Sequence, residues 1–130
     1  MPSKPRAAIV TVGTELVTGE RLDTNGAEIA SALLVAGLEV VEMISVADDV
    51  GRLADHLARL SAECVLVIVT GGLGPTHDDI TREAASRALG KPLVRDDRIE
   101  QRLLGIVSRH REPTAVAQLL TQADILDGAT

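Results

Sequence analysis

The run CVLVIVT, residues 64–70, is unbroken by any charge, and the turn TGGLGPTHDD begins on its last residue. A short run rich in β-branched side chains, without polar alternation, reads as a strand buried on both faces. Such strands belong to parallel sheets. Two earlier runs fit the same sheet: AAIVTV (7–12), stopped by Gly13, and the partly alternating LEVVEMISVA (38–47). Between the runs the apolar period changes to that of a helix. Ala27, Ile29, Ala30, Leu33 and Leu34 share one helical face from Thr24 to about Ala36, with Asp23 or Thr24 as the starting cap and Gly37 at the stop. Leu53, Leu57 and Leu60 share another, in a helix that Asp48 is expected to cap and that runs to about Ala62. Further helices are predicted from about Asp79 to Leu89, from Asp96 through the "SRH" at 108–110, and from Ala115 to Gln122, with a turn at Asp127-Gly128. Strands alternating with helices give an α/β fold with a mostly parallel sheet and right-handed crossovers.

That architecture places the chemistry. Ligands of open α/β sheets bind beyond the carboxyl ends of the strands. Gly13–Glu15, Asp48–Asp49 and Gly71–Asp79 all follow strand ends, so these three loops are expected to face one crevice. Gly71, Gly72 and Gly74 ahead of a helix suit a phosphate cradle, because glycine lets backbone N–H groups approach an anion at the positive end of the helix. The loop is not a Walker A motif, since no Lys-Ser/Thr pair follows it, and the dinucleotide fingerprint G-x-G-x-x-G is absent. A rigid structural turn would explain the glycines and Pro75 equally well. The acids beside them tip the balance. Asp78 and Asp79 would repel a phosphate unless a cation lay between, and carboxylates with phosphate oxygens are usual Mg²⁺ surroundings. Asp79 is read as functional and Asp78 as a cap or solvent-facing. Asp48 is open between capping and metal binding. Glu15 and Glu20 read first as solvated loop acids, His77 as an exposed histidine able to act as acid or base, and His56 and His110 as surface helix residues.

Composition narrows the partners. The 130 residues read as one domain, 1–130, and 45% apolar content suffices for a core. A net charge of −6 and the absence of Phe, Tyr and Trp argue against nucleic acid, which calls for basic neutralisation and stacking rings. No segment is apolar for long enough to span a membrane, and no h-region follows the basic N-terminus. The lone Cys64, read as a small core residue, suits a reducing cytoplasm.

The strings GTELVTG, DTN, VADD and above all TGGLGPTHDDIT resemble the N-terminal domain of the CinA (competence/damage-inducible protein) family, within the molybdopterin-binding MoaB/Mog-like superfamily. The likeness covers roughly Ala8 to Leu103. Leu73 stands where the Mog-like branch usually has a different residue, as in Gly-Gly-Thr-Gly. The resemblance implies a three-layer α/β/α fold, homo-oligomers, and a pyrophosphate-bearing ligand at the glycine loop. In CinA-type proteins the implied reaction is metal-dependent hydrolysis of ADP-ribose to AMP and ribose 5-phosphate; in Mog-like relatives it is adenylylation of molybdopterin. Asp79 matches the catalytic aspartate and Asp48 the aspartate after the second strand. Gly71, Gly72 and Gly74, with Thr76 beside them, match the phosphate-binding turn, and Gly13 and Glu15 join the candidate site. The implied cofactor is Mg²⁺, Mn²⁺ or Co²⁺ on Asp79 and Asp48. Two departures stand out. No C-terminal amidase domain follows, so nicotinamide-nucleotide deamidation is not expected. The chain also stops at DGAT, where the family continues into another strand and a GTAPG-like loop, and Ala115–Gln122 replaces a polar NNRKQA-like segment. A C-terminally truncated site is therefore expected, and a non-catalytic ligand-binding or assembly domain is the third reading beside hydrolysis and molybdopterin chemistry.

Overall fold

The structure is a computed structural model and describes residues 2–107 and 111–130. His110 lies outside the described residues. In chain order the elements are β1 (Arg6–Val12), α1 (Thr14–Val17), α2 (Thr24–Val35), β2 (Glu39–Val46), α3 (Val50–Glu63), β3 (Leu66–Thr70), α4 (Thr81–Leu89), β4 (Leu93–Arg95), α5 (Asp97–Ile106), α6 (Pro113–Leu120), a 3-10 turn and β5 (Asp124–Leu126).

The first three strands form a parallel sheet in the order β2-β1-β3. Ile9 pairs with Met43 on one side and Ile68 on the other, and all three strands end level, Val12 beside Val46 and Thr11 beside Thr70. Alternation along β1 divides the core in two. Ala8, Val10 and Val12 meet Leu53, Leu57 and Leu60 of α3 and Ala84 of α4. Ala7 and Ile9 meet Leu33 of α2 on the opposite face. Helices therefore cover both faces, giving the three-layer α/β/α arrangement with a parallel sheet. Thr11 is the polar residue in the middle of this core. Its hydroxyl hydrogen-bonds Ser45 Oγ at 2.8 Å and reaches the Ile44 carbonyl at 3.3 Å, so no buried group is left unpaired there.

β3, expected to be buried on both faces, is not the buried strand of the sheet. β3 lies at one edge of this sheet and is half-buried, with Leu66 exposed, whereas β1, flanked on both sides, is buried from Ala7 to Val12. Place in the sheet, not apolar content, decides burial. Cys64 is not in the strand either. It closes α3, its N–H donating to the Leu60 carbonyl at 2.9 Å, and packs partly buried against the core as expected of a small apolar residue.

Several boundaries move. The first loop contains the single turn α1. α4 starts at Thr81 rather than Asp79, and its preceding cap residue is Ile80. α5 ends at Ile106, and the expected run through residues 108–110 lies outside the described residues. α6 starts at Pro113, where proline's missing N–H costs nothing. The antiparallel pair β4–β5 has no counterpart among the strands expected from sequence. Beyond it the Asp127-Gly128 turn forms as read, with Ala129 N–H on the Leu126 carbonyl. Asp23 caps α2 by accepting from Gly26 N at 2.9 Å. Among the described residues no helix is long and apolar enough to cross a membrane.

Candidate functional site

Parallel pairing brings the three strand ends to one edge. Gly13 extends β1 by donating to the Val46 carbonyl at 2.9 Å. The next residue ties the first loop to the second. Thr14 Oγ1 donates to Asp48 Oδ2 at 3.1 Å, and Asp48 N–H donates back to Thr14 Oγ1 at 3.2 Å. Asp48 is therefore not the cap of α3. Asp49 is: it has extended backbone and accepts from Arg52 N at 2.8 Å. β2 stops at Val46, which leaves Ala47, Asp48 and Asp49 before the helix and puts only the last at the capping position. The carboxylate of Asp48 is exposed and committed to Thr14.

After β3 the chain turns sharply. Gly71 and Gly72 have φ of 86° and 65°; a Cβ at Gly71 would strike the Val12 carbonyl oxygen, and one at Gly72 the Thr81 hydroxyl. Both positions need glycine. The four carbonyls from Gly71 to Gly74 are then all taken by two residues at the start of α4. Thr81 Oγ1 donates to Gly71 O at 2.8 Å, Thr81 N–H to Gly72 O at 3.1 Å, and Arg82 Nη1 and Nη2 to Leu73 O and Gly74 O at 2.8 and 2.9 Å. The N–H groups of Gly72 and Leu73 meet no acceptor among the described residues. Sequence reasoning misses both Thr81 and Arg82. Arg82 does carry a usable signal: a base in the first turn of a helix opposes the macrodipole, so its presence there points to a specific contact.

Asp79 folds back onto the same turn. Its Oδ2 accepts from Thr76 N–H at 2.9 Å and Thr76 Oγ1 at 2.8 Å. Gly74 leaves the space for it; a Cβ there would lie 2.6 Å from Oδ2. Desolvation pushes the Asp79 pKa up, but the Thr76 hydroxyl and N–H, the Gly74 N–H and the Arg82 charge together outweigh it, and the net shift is downward. Asp79 is thus held ionised. Asp78 beside it faces solvent, pairing with His77 Nε2 at 3.3 Å while both side chains stay mostly exposed.

Two depressions flank the turn. One, of about 440 Å³, includes Thr76, Asp79, Arg82, Leu93, Gln118 and Thr121 in its lining. The other, of about 260 Å³, lies between the ends of β1 and β3, where the strand order reverses, and includes Glu15, Asp23, Asn25, Thr70 and Gly71. Gly13 itself is buried, and a Cβ on it would crowd the Glu15 carboxylate. Asp48 lines neither depression, and none of its hydrogen bonds reaches Asp79. Among the described residues no three His, Cys, Asp or Glu side chains gather as metal ligands. A closed protein cage is thus not what the donors fit. Of the two candidate carboxylates only Asp79 lies beside the glycine turn, where it could supply one ligand to an ion otherwise held by ligand phosphate and water. A further depression of about 380 Å³ beside Arg98, Arg102 and Ile125 shares no lining with either.

The family described as a probable molybdopterin binding domain matches residues 8–125. A CinA-like protein of Geobacter sulfurreducens is 45% identical over 104 residues, 80% of this chain and 25% of that protein. One of Citrifermentans bemidjiense is 49% identical over 88 residues, 68% of this chain and 21% of that protein. The chain thus spans a quarter or less of these curated relatives. Among solved structures, a CinA protein of unknown function from Thermoplasma acidophilum superposes with a TM-score of 0.86 at 28% identity, covering 95% of this chain and 71% of that one. The molybdopterin biosynthesis enzyme MoaB of Thermus thermophilus gives 0.60 at 28% identity, covering 94% and 79%. Sequence and fold agree, and the chain belongs to the molybdopterin-binding domain family as a CinA-type, MoaB/Mog-like member.

Proposed function

We propose that this domain binds a phosphoanhydride at the Gly71–Gly74 turn and hydrolyses nucleotide sugars of the ADP-ribose type, ADP-ribose being the reference substrate. The observation that carries this reading is the turn itself. Its carbonyls are all engaged by Thr81 and Arg82, the N–H groups of Gly72 and Leu73 have no acceptor among the described residues, and the ionised Asp79 stands beside them. Such N–H groups ahead of α4 would take phosphate oxygens. Asp79 would hold Mg²⁺, Mn²⁺ or Co²⁺, with ligand phosphate and water completing the shell. When bound, such an ion neutralises charge on the anhydride and makes a water molecule more acidic. Water adds to one phosphorus and the bridging P–O bond breaks, giving AMP and ribose 5-phosphate. Thr76 keeps Asp79 Oδ2 unprotonated and aimed, and Gly74 keeps the approach to it clear. Assembly into homo-oligomers and a cytoplasmic setting belong to the same reading.

The test is AMP release from ADP-ribose by the chain with each of the three ions added in turn. The expected result is ion-dependent release that is lost in Asp79→Asn, in a chain that still folds cooperatively. A folded chain that releases no AMP refutes hydrolysis. The second reading, molybdopterin binding or adenylylation, is favoured by the family's description and by the likeness to MoaB. Tight molybdopterin binding with ADP-ribose left intact would select it.

A further inference from the structure

We infer that Arg82 is a positioning residue: its guanidinium fork holds the second half of the glycine turn, at Leu73 and Gly74, and thereby sets where the Asp79 carboxylate meets that turn beside the free N–H groups of Gly72 and Leu73. The inference rests on the phosphoanhydride reading for its ligand, but the contact it concerns is independent of any ligand. Arg82 Nη1 and Nη2 hold the carbonyls of consecutive residues, Leu73 and Gly74, at 2.8 and 2.9 Å. With Thr81 on Gly71 and Gly72, four consecutive carbonyls are drawn to the α4 side. Fixing the carbonyl of a peptide also fixes the N–H of the next residue, because the peptide unit is planar. The bonds to Gly71 O and Gly72 O therefore orient the N–H groups of Gly72 and Leu73, and the bond to Leu73 O orients that of Gly74. Thr81 governs the first half of the turn and Arg82 the second. Gly74 is also the residue whose N–H and open Cα face meet the Asp79 carboxylate.

The geometry separates this role from two others. A surface arginine pairing with an acid would show a carboxylate partner, whereas the hydrogen bonds of Arg82 go to carbonyls of the turn. An arginine serving as a bare positive charge near the ligand would not need a fork. Two carbonyls one peptide apart match the fixed spread of a guanidinium, and an ammonium cannot span them in the same way. The positive charge does lie close enough to Asp79 to help hold it ionised, so fork and charge make separable predictions.

The experiment uses the 130-residue chain with Arg82→Gln and Arg82→Lys. Backbone ¹⁵N relaxation of the ligand-free proteins reads the turn, and steady-state kinetics on ADP-ribose with Mn²⁺ reads its use. In wild type the Gly72–Gly74 amides should show rigid order parameters, about 0.85, and in Arg82→Gln that of Gly74 should fall toward about 0.6 while those of Gly72 and Leu73, held through Thr81, change less, with the unfolding midpoint little changed. KM should rise about tenfold, and by more than kcat falls, as expected when binding common to ground and transition states is lost. Arg82→Lys keeps the charge and loses the fork, so it should resemble Arg82→Gln. Full recovery of KM by lysine, or wild-type order parameters in a folded Arg82→Gln, overturns the inference. Inorganic pyrophosphate, titrated against the same amide resonances, separates the two levels. If wild type neither cleaves ADP-ribose nor shifts with pyrophosphate, the phosphoanhydride reading fails, while the order parameters still decide whether Arg82 holds the turn.

Discussion

At Asp48 and Asp49 two identical side chains sit one residue apart and do different work. Asp49 satisfies the Arg52 N–H at the start of α3, while Asp48 exchanges hydrogen bonds with Thr14 across the strand ends. Loss of a capping carboxylate costs about 1 kcal/mol, whereas an exposed side-chain contact is worth within about 0.5 kcal/mol. Asp49→Ala should therefore lower the urea midpoint visibly and Asp48→Ala hardly at all; equal losses would mean that the capping assignment is wrong. Sequence shows that one of the pair caps but not which, because both are good capping residues and the choice depends on where β2 ends. Asp79 is singled out in the sequence for a different reason: a second aspartate beside Asp78 exceeds what a cap needs. Its actual partner, Thr76, is a loop contact three residues back rather than a helix start. Thr81 and Arg82 escape notice because reading for ligand-binding groups favours acids and glycines, while these two act on carbonyls.

Among the elements, α3 shows most plainly how periodicity becomes stability. Leu53, Leu57 and Leu60 recur at helical spacing and are all buried against β1, Leu53 and Leu60 completely. Truncating such a leucine costs about 2–5 kcal/mol, transfer and cavity together. Leu60→Ala should lower the thermal midpoint by many degrees, while Val35→Ala, on a side chain 90% exposed at the end of α2, should change stability by no more than about 0.5 kcal/mol. Comparable losses from the two would contradict the core described here. The same periodicity makes α2, α3 and the three parallel strands readable in advance. It fails for β4 and β5, which have three residues each and show no period. Their pairing is set by residues far apart in sequence: Arg95 reaches Asp124 on β5 through Nε at 2.5 Å and Glu100 on α5 through Nη1 at 2.7 Å. It fails again in reading β3 as buried on both faces, since a strand's own composition does not record how many neighbours it has.

On the scale of the whole molecule, acid should be the condition that loosens the fold, and the reason can be traced to particular groups. Arg59 on α3 donates to the Glu42 carboxylate on β2 through Nη2 and Nη1, at 2.6 and 3.0 Å. The hydrogen bond from Arg59 is the main cause that holds the Glu42 pKa below its ordinary value. Asp79 is held low as well. Unfolded, these groups titrate near about pH 4.3 and about pH 3.9 respectively. Between those values and the lower folded ones, the unfolded chain binds more protons than the folded chain, so stability rises with pH across that interval. The contribution is fully present above about pH 5 and disappears as the pH falls through the folded values. The charge of the whole chain does not oppose this, because with an isoelectric point near 5.0 the molecule turns net positive over the same range and self-repulsion adds to the loss. Glu42→Gln separates the specific term from the general one, since it removes the titrating group and the pair together. Thermal midpoints between about pH 5 and about pH 3 should fall more steeply for wild type than for Glu42→Gln. The gap should shrink in concentrated salt, because an exposed pair is screened. Parallel curves for the two proteins would show that the Glu42–Arg59 contact between sheet and helix contributes nothing to acid stability and that net charge alone drives the transition.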